Sequence, residues 1–82
     1  MILVDVYIPS VDETYDFMLD ENTEISKIML EILEVIAKKM QSGAVRYVKG
    51  FMLYHMTEGK ALEKGSTLAS SGVKPGSRLM LI

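Results

Sequence analysis

Few residues in this chain are of types that carry chemistry, and most of these fall in predicted turns. The acidic pairs Asp12-Glu13 and Asp20-Glu21 each bring two carboxyl groups together, as general acid–base catalysis would need. No base is close to either pair, so we expect solvated turn residues. His55 is the single histidine and cannot form a histidine-based metal site by itself.

The remaining chemical motifs are missing from the sequence. The chain has no cysteine, which excludes disulfides, thiolate metal sites and thiol catalysis. The glycine-containing segment 72–76 lacks both the spacing and the Lys-Ser/Thr pair of a phosphate-binding loop. No set of nucleophile, base and orienting residue can be assembled. We therefore expect no enzymatic activity, no catalytic residues, no metal and no cofactor.

Length and composition favour one small globular domain over residues 1–82. Of the 82 residues, 49% are hydrophobic and 24% are charged, with a net charge of −2. The basic residues are scattered between Lys27 and Arg78, so nucleic acid is not an expected partner. No apolar run approaches the roughly 20 residues of a membrane span, and the first residues lack the features of a signal peptide. We expect a cytoplasmic protein that binds something rather than transforms it.

Hydrophobic periodicity predicts five strands and one long helix. Apolar and polar residues alternate over 1–9 and over 14–19, with a polar turn between them, which predicts an antiparallel hairpin. The helix should be capped by Thr23 or Asn22 and should stop at Gly43. The predicted helix covers 24–41, further strands are expected at 51–56, 60–62 and 77–82, and a helical turn at 67–71 capped by Ser66 or Thr67.

The predicted helix is amphipathic, with an unusually wide apolar arc. Its polar stripe consists of Lys27, Glu31, Glu34, Lys38 and Gln41. Its core face consists of Ile25, Ile28, Met29, Ile32, Leu33, Ile36 and Met40. Leu30 and Ala37 widen this face on one flank and Val35 on the other. We expect the connector at 44–48 to cover the flanks, with self-association through them as the alternative.

One amphipathic helix among strands must bury its apolar face on their sheet. This predicts a two-layer α+β domain. A right-handed crossover would place the last strand beside the first, as its parallel neighbour.

The C-terminal half resembles a known family. Residues 59–68 read Gly-Lys-Ala-Leu-Glu-Lys-Gly-Ser-Thr-Leu, and Val73 and an alternating strand around Leu79 and Leu81 follow. This pattern resembles ubiquitin from its third turn to its final strand. The resemblance implies a ubiquitin-like β-grasp fold, a mixed sheet packed on one helix in the order ββαβ(short β)β.

The size of the chain and its closing segment, 68–82, more closely resemble the YukD/EsaB family. These small bacterial ubiquitin-like proteins accompany type VII (WXG100/ESX) secretion systems of Gram-positive bacteria. The resemblance implies a cytoplasmic accessory or regulatory protein. Its partners would be proteins, with membrane components of the secretion system among them.

The sequence departs from ubiquitin at its end. It stops at Ile82 and has no Gly-Gly tail, which ubiquitin and the sulfur carriers of this fold need for activation of their terminal carboxylate. We therefore expect non-covalent binding rather than conjugation. Two alternatives stay open, a self-associating scaffold (a homodimer, for example) that is normally part of a membrane secretion component, and a carrier whose tail has been truncated.

Strand alternation predicts an apolar patch on the sheet face that points away from the helix. Exposed apolar patches mark partner sites, and methionine side chains adapt to varied partners. The predicted protein-binding residues are Leu3, Tyr7, Met52, Tyr54, Met56, Met80 and Ile82. With this phase His55 faces the helix and is expected to be a partly buried structural residue. The alternatives are scattered surface apolar residues, or a third strand of the opposite phase.

Overall fold

The computed structural model describes residues 1–39 and 50–82, which form five strands and one helix in the predicted order. The elements are β1 (Ile2–Ile8), β2 (Glu13–Leu19), α1 (Ile25–Lys39), β3 (Leu53–His55), β4 (Lys60–Ala61) and β5 (Arg78–Leu81). The bounds lie within one or two residues of those predicted, and the largest shortening among the strands is at β3, for which the sequence predicted 51–56.

All five strands form a single mixed sheet in the order β2-β1-β5-β3-β4. β1 and β5 are parallel, and every other neighbouring pair is antiparallel. The predicted parallel placement of the last strand beside the first is confirmed. Strands β1, β5 and β3 are therefore interior strands, while β2 and β4 lie at the two edges of the sheet.

The core lies between α1 and one face of the sheet, as the alternation in the strands and the apolar arc of the helix predict. Every second residue of β1 is buried, and α1 buries the residues predicted for its core face as far as Ile36. Ala37 is also buried, Leu30 is half-buried and Val35 remains 36% exposed. Leu62, Leu68 and Val73, from the segment between β4 and β5, also belong to this core.

The loop before β5 caps the start of α1. The Ile25 and Ser26 amides donate hydrogen bonds to the Ser66 and Lys64 carbonyls, at 2.8 and 3.0 Å. These are amides that the first turn of a helix cannot satisfy internally. A cap supplied by a loop about 40 residues later in the chain has no signature in the local sequence.

The predicted cap by Thr23 or Asn22 is wrong, because the first amides of α1 bond to the loop carbonyls instead and the Thr23 hydroxyl bonds to Asp20. The Thr23 hydroxyl and the Asn22 amide donate to the two oxygens of the Asp20 carboxylate, at 3.0 and 2.9 Å. These two hydrogen bonds lower the pKa of Asp20 below its ordinary value, and the bond from the Asn22 backbone amide has the larger effect. Asp20 thus holds the turn that precedes the helix.

The expected turn at 67–71 is present, and Thr67 caps it. Its hydroxyl accepts a hydrogen bond from the Ser70 amide at 3.1 Å, and its carbonyl accepts one from the Ser71 amide at 3.2 Å. Gly72 ends the turn with a φ of 77°, a conformation that glycine adopts without steric cost.

Some predictions fall outside the described residues. These are the end of the predicted helix with Met40, Gln41 and Gly43, and the connector 44–48 that was expected to cover the flanks of the helix.

Candidate functional site

Three predicted site residues lie side by side across the middle of the outer face of the sheet, the face opposite α1. Met80 is opposite Tyr7 in the β1–β5 register and opposite Tyr54 in the β3–β5 register. All three side chains are half-buried. Because β5 lies between β1 and β3, they form a continuous row over three neighbouring strands.

Ile82 and Met52 lie next to this row, just beyond the ends of β5 and β3 and two residues from Met80 and Tyr54. Their backbones exchange two hydrogen bonds, Met52 N–H to the Ile82 carbonyl at 2.6 Å and Ile82 N–H to the Met52 carbonyl at 2.9 Å. Their side chains are 47% and 43% exposed. We call the five residues Tyr7, Met52, Tyr54, Met80 and Ile82 the outer patch.

Leu3 is separated from this patch, although it was predicted to belong to it, and Met56 borders the patch two residues beyond Tyr54. Both residues are exposed, at 48% and 41%, and the row that contains Asp5 and Arg78 lies between Leu3 and the outer patch. Leu3 lies beyond that row, opposite Met18 on β2, and the Met56 amide bonds to the Arg78 carbonyl at 3.0 Å. The single predicted patch is therefore interrupted by an ion pair, Arg78 to Asp5 at 3.6 Å.

Carboxylates border the outer patch on its β1–β2 side, and the sequence analysis had not assigned them to the site. Asp5 and Asp16 occupy facing positions on β1 and β2. A hydrogen bond with the Asp5 carboxyl, reinforced by repulsion from its charge, raises the pKa of Asp16. Alternation placed Asp5 on the same face as Tyr7, but only the register between the strands places Asp16 opposite it.

A third carboxylate, Asp12, lies in the loop between β1 and β2 and contacts the patch directly. Its Oδ1 accepts a hydrogen bond from the Tyr7 hydroxyl at 2.9 Å. This bond is the main reason why the pKa of Tyr7 is raised. Asp12 adopts a φ of 50°, which is tolerated by aspartate more readily than by most residues.

His55 faces the core, as the outward position of Tyr54 requires. It is only 3% exposed, and its Nδ1 accepts a hydrogen bond from the Glu58 amide at 3.1 Å. The neutral ring that fits this bond carries its proton on Nε2, which has no hydrogen-bond partner among the described residues. The phase of β3 is the predicted one, and His55 holds the turn between β3 and β4.

A shallow depression of about 240 Å³ lies between β4 and the turn at 67–71. Its lining includes Lys60, Glu63, Ser70 and Ser71. The hydroxyls of Ser70 and Ser71 donate to the Thr67 carbonyl at 3.1 and 2.7 Å, so both serve the local turn. The lining contains no histidine.

Comparison with solved structures shows the fold. The chain aligns over 99% of its length with the EccD5 ubiquitin-like domain from Mycobacterium xenopi, covering 91% of that chain at 22% identity and a TM-score of 0.69. It aligns over 99% of its length with a ubiquitin-like domain of an Arabidopsis thaliana protein, covering 74% of that chain at 20% identity and a TM-score of 0.73. The chain also aligns over its whole length with a designed protein based on human erythrocytic ubiquitin, covering 90% of that chain at 24% identity and a TM-score of 0.67.

The protein has a ubiquitin-like β-grasp fold of the α+β class. No protein-family model matches the sequence, and no curated protein matches it in the sequence comparison. Within residues 1–39 and 50–82, no helix has the length and apolar character needed to cross a membrane.

Proposed function

We propose that this protein is a non-covalent protein-interaction module that binds its partner through the outer patch, and that it is not an enzyme. The observation that carries the proposal is the row of Tyr7, Met80 and Tyr54, continued by Met52 and Ile82. Aromatic and methionine side chains are enriched at protein interfaces. Here they are grouped on a rigid sheet whose opposite face is already occupied by α1.

The setting we propose is that of an accessory or regulatory protein of a type VII secretion system, located in the bacterial cytoplasm. Two points support it: the closing segment resembles YukD/EsaB, and the fold neighbours include the EccD5 ubiquitin-like domain, which comes from a mycobacterial type VII secretion system. The partners would be membrane components of that system.

The test is affinity capture from solubilised host membranes, with the captured proteins identified by mass spectrometry. Tyr54 and Met80 face each other across two strands, and two aspartates there would repel. We therefore combine Tyr54→Asp with Met80→Ser, which removes the apolar row but adds only one charge. Wild-type protein should recover secretion components, and this variant should recover at least about tenfold less, with the fold intact by circular dichroism.

The matched control is Val35→Asp, which adds the same charge to an exposed apolar position of α1. It should capture as wild type does. Equal recovery with the patch variant and the wild type would refute the outer patch as the site. Loss of capture with Val35→Asp alone would instead favour the second candidate, a scaffold that associates through the flank of α1.

A further inference from the structure

The outer patch offers side chains to a partner but no free backbone groups. It lies on β1, β5 and β3, and each of these strands has a neighbouring strand on both sides. A peptide that adds to a sheet needs an unpaired edge. A partner on this face must therefore satisfy its own backbone hydrogen bonds, as an α-helix does.

The dimensions of the patch suit a single helix. Neighbouring strands are about 4.8 Å apart, so the row from Tyr7 across Met80 to Tyr54 spans about 10 Å. An α-helix with its side chains is about 10 Å wide. One helix lying along the strands would cover all three positions together with Ile82 and Met52.

The charges at this face are unevenly placed. Asp5, Asp12 and Asp16 all border the patch on its β1–β2 side, and Arg78 is the only basic residue at an outward position of the described strands. Arg78 pairs with Asp5. Among residues 1–39 and 50–82 no basic side chain forms an ion pair with Asp12 or Asp16. Within these described ranges, two exposed carboxylates at the edge of an apolar surface therefore have no ion-pair partner.

We propose that the partner of the outer patch is an amphipathic helix whose apolar face is bordered on one side by lysine or arginine side chains. This inference rests on the proposed protein-binding function and specifies the chemistry of its partner. The apolar side chains would cover Tyr7, Met80 and Tyr54, and the basic flank would meet Asp12 and Asp16. A partner cation beside Asp16, in addition to Arg78 beside Asp5, would also relieve the repulsion between the two carboxylates.

Two designed helical peptides test the proposal. Both carry leucines at i, i+3, i+4 and i+7; one has lysines on the flank and the other has glutamates at the same positions. Each is titrated into ¹⁵N-labelled protein at low ionic strength, and binding is followed by amide chemical shifts. The lysine peptide should bind about tenfold more tightly, with shifts at Met80, Tyr54 and Asp16, and the difference should shrink in high salt.

Asp16→Asn and Glu31→Gln form a matched pair, since each removes one negative charge from an exposed position, the first beside the patch and the second on α1. Asp16→Asn should weaken binding of the lysine peptide about two- to fivefold, and Glu31→Gln should leave it unchanged. Equal affinity for the two peptides, no binding, or shifts confined to the β2 edge would each overturn the proposal. If Tyr54→Asp/Met80→Ser nevertheless abolishes capture, the proposed function stands and only the basic helix is refuted.

Discussion

Asp5 and Asp16 show how a single pair of side chains can be unfavourable for folding yet suited to binding a basic partner. They face each other across β1 and β2, where like charges are destabilising. The Arg78 guanidinium, 3.6 Å from Asp5, offsets the charge of only one of them. A cation brought by a partner would neutralise the other.

The first prediction at this scale concerns stability and pH. Because folding raises the pKa of Asp16, the folded state holds the proton more tightly than the unfolded chain does. The stabilisation from this proton is complete in acid and is lost as the pH rises through the raised pKa. The asparagine in Asp16→Asn cannot ionise, so it avoids the repulsion that Asp16 meets when it loses its proton. The melting temperature of the variant should therefore exceed that of the wild type at about pH 7, and the advantage should shrink or reverse at about pH 3.

Thermal unfolding of the two proteins at both pH values, followed by circular dichroism, checks this prediction. Glu31→Gln is the control for removal of one negative charge elsewhere. A melting temperature for Asp16→Asn that stays below that of the wild type at neutral pH would show that the carboxyl pair does not destabilise the fold.

At the scale of elements, the turn before β5 determines how that strand meets β1. The Gly76 amide donates to the Leu3 carbonyl at 2.7 Å, and the Asp5 amide donates to the Ser77 carbonyl at 3.1 Å. Gly76 has a φ of 85°, and a Cβ atom at this position would meet no atom within 4 Å. The requirement for glycine here is therefore conformational and not one of space.

Gly76→Ala should lower the free energy of unfolding by about 1–2 kcal/mol, the cost of placing an L-residue in a left-handed conformation. Gly65→Ala is the matched control. Gly65 has equally open surroundings and no positive φ, so its replacement should be neutral or slightly stabilising. Urea denaturation measures both values. Equal effects of the two substitutions would contradict the conformational explanation.

At the scale of the whole molecule, β5 connects the two halves of the sheet. Its Leu79 is fully buried and lies between Val6 of β1 and His55 of β3. Domains of about this size have unfolding free energies of roughly 5–15 kcal/mol. A defect at Leu79 should therefore weaken the entire domain rather than one hairpin.

Leu79→Ala should destabilise the protein by about 2–5 kcal/mol, which lowers the melting temperature by about 10–30 °C. Leu3→Ala, on the outer face of β1 and 48% exposed, should cost less than about 0.5 kcal/mol. Calorimetry of both variants checks this. Two separate transitions in Leu79→Ala would contradict the description of the sheet as one cooperative unit.

The sequence by itself determined the elements and, for the two long strands and the helix, the side that is buried. Periods of two and of about 3.6 residues are properties of the local chain, so β1, β2 and α1 could be predicted from their patterns. For β3, alternation left two phases open, one of which turns Tyr54 outward. The crossover rule predicted β5 beside β1, whereas the full β-grasp order came from the resemblance to ubiquitin.

Only the tertiary structure decided which residues from different strands become neighbours. The loop around Ser66 caps α1 in place of Thr23, Asp16 faces Asp5, and the Asp5–Arg78 pair separates Leu3 from the outer patch. Each of these relations depends on strand register or on contact between distant segments. A shift of register changes every such neighbour while leaving the local pattern of hydrophobic residues the same, which is why the local pattern could not specify them.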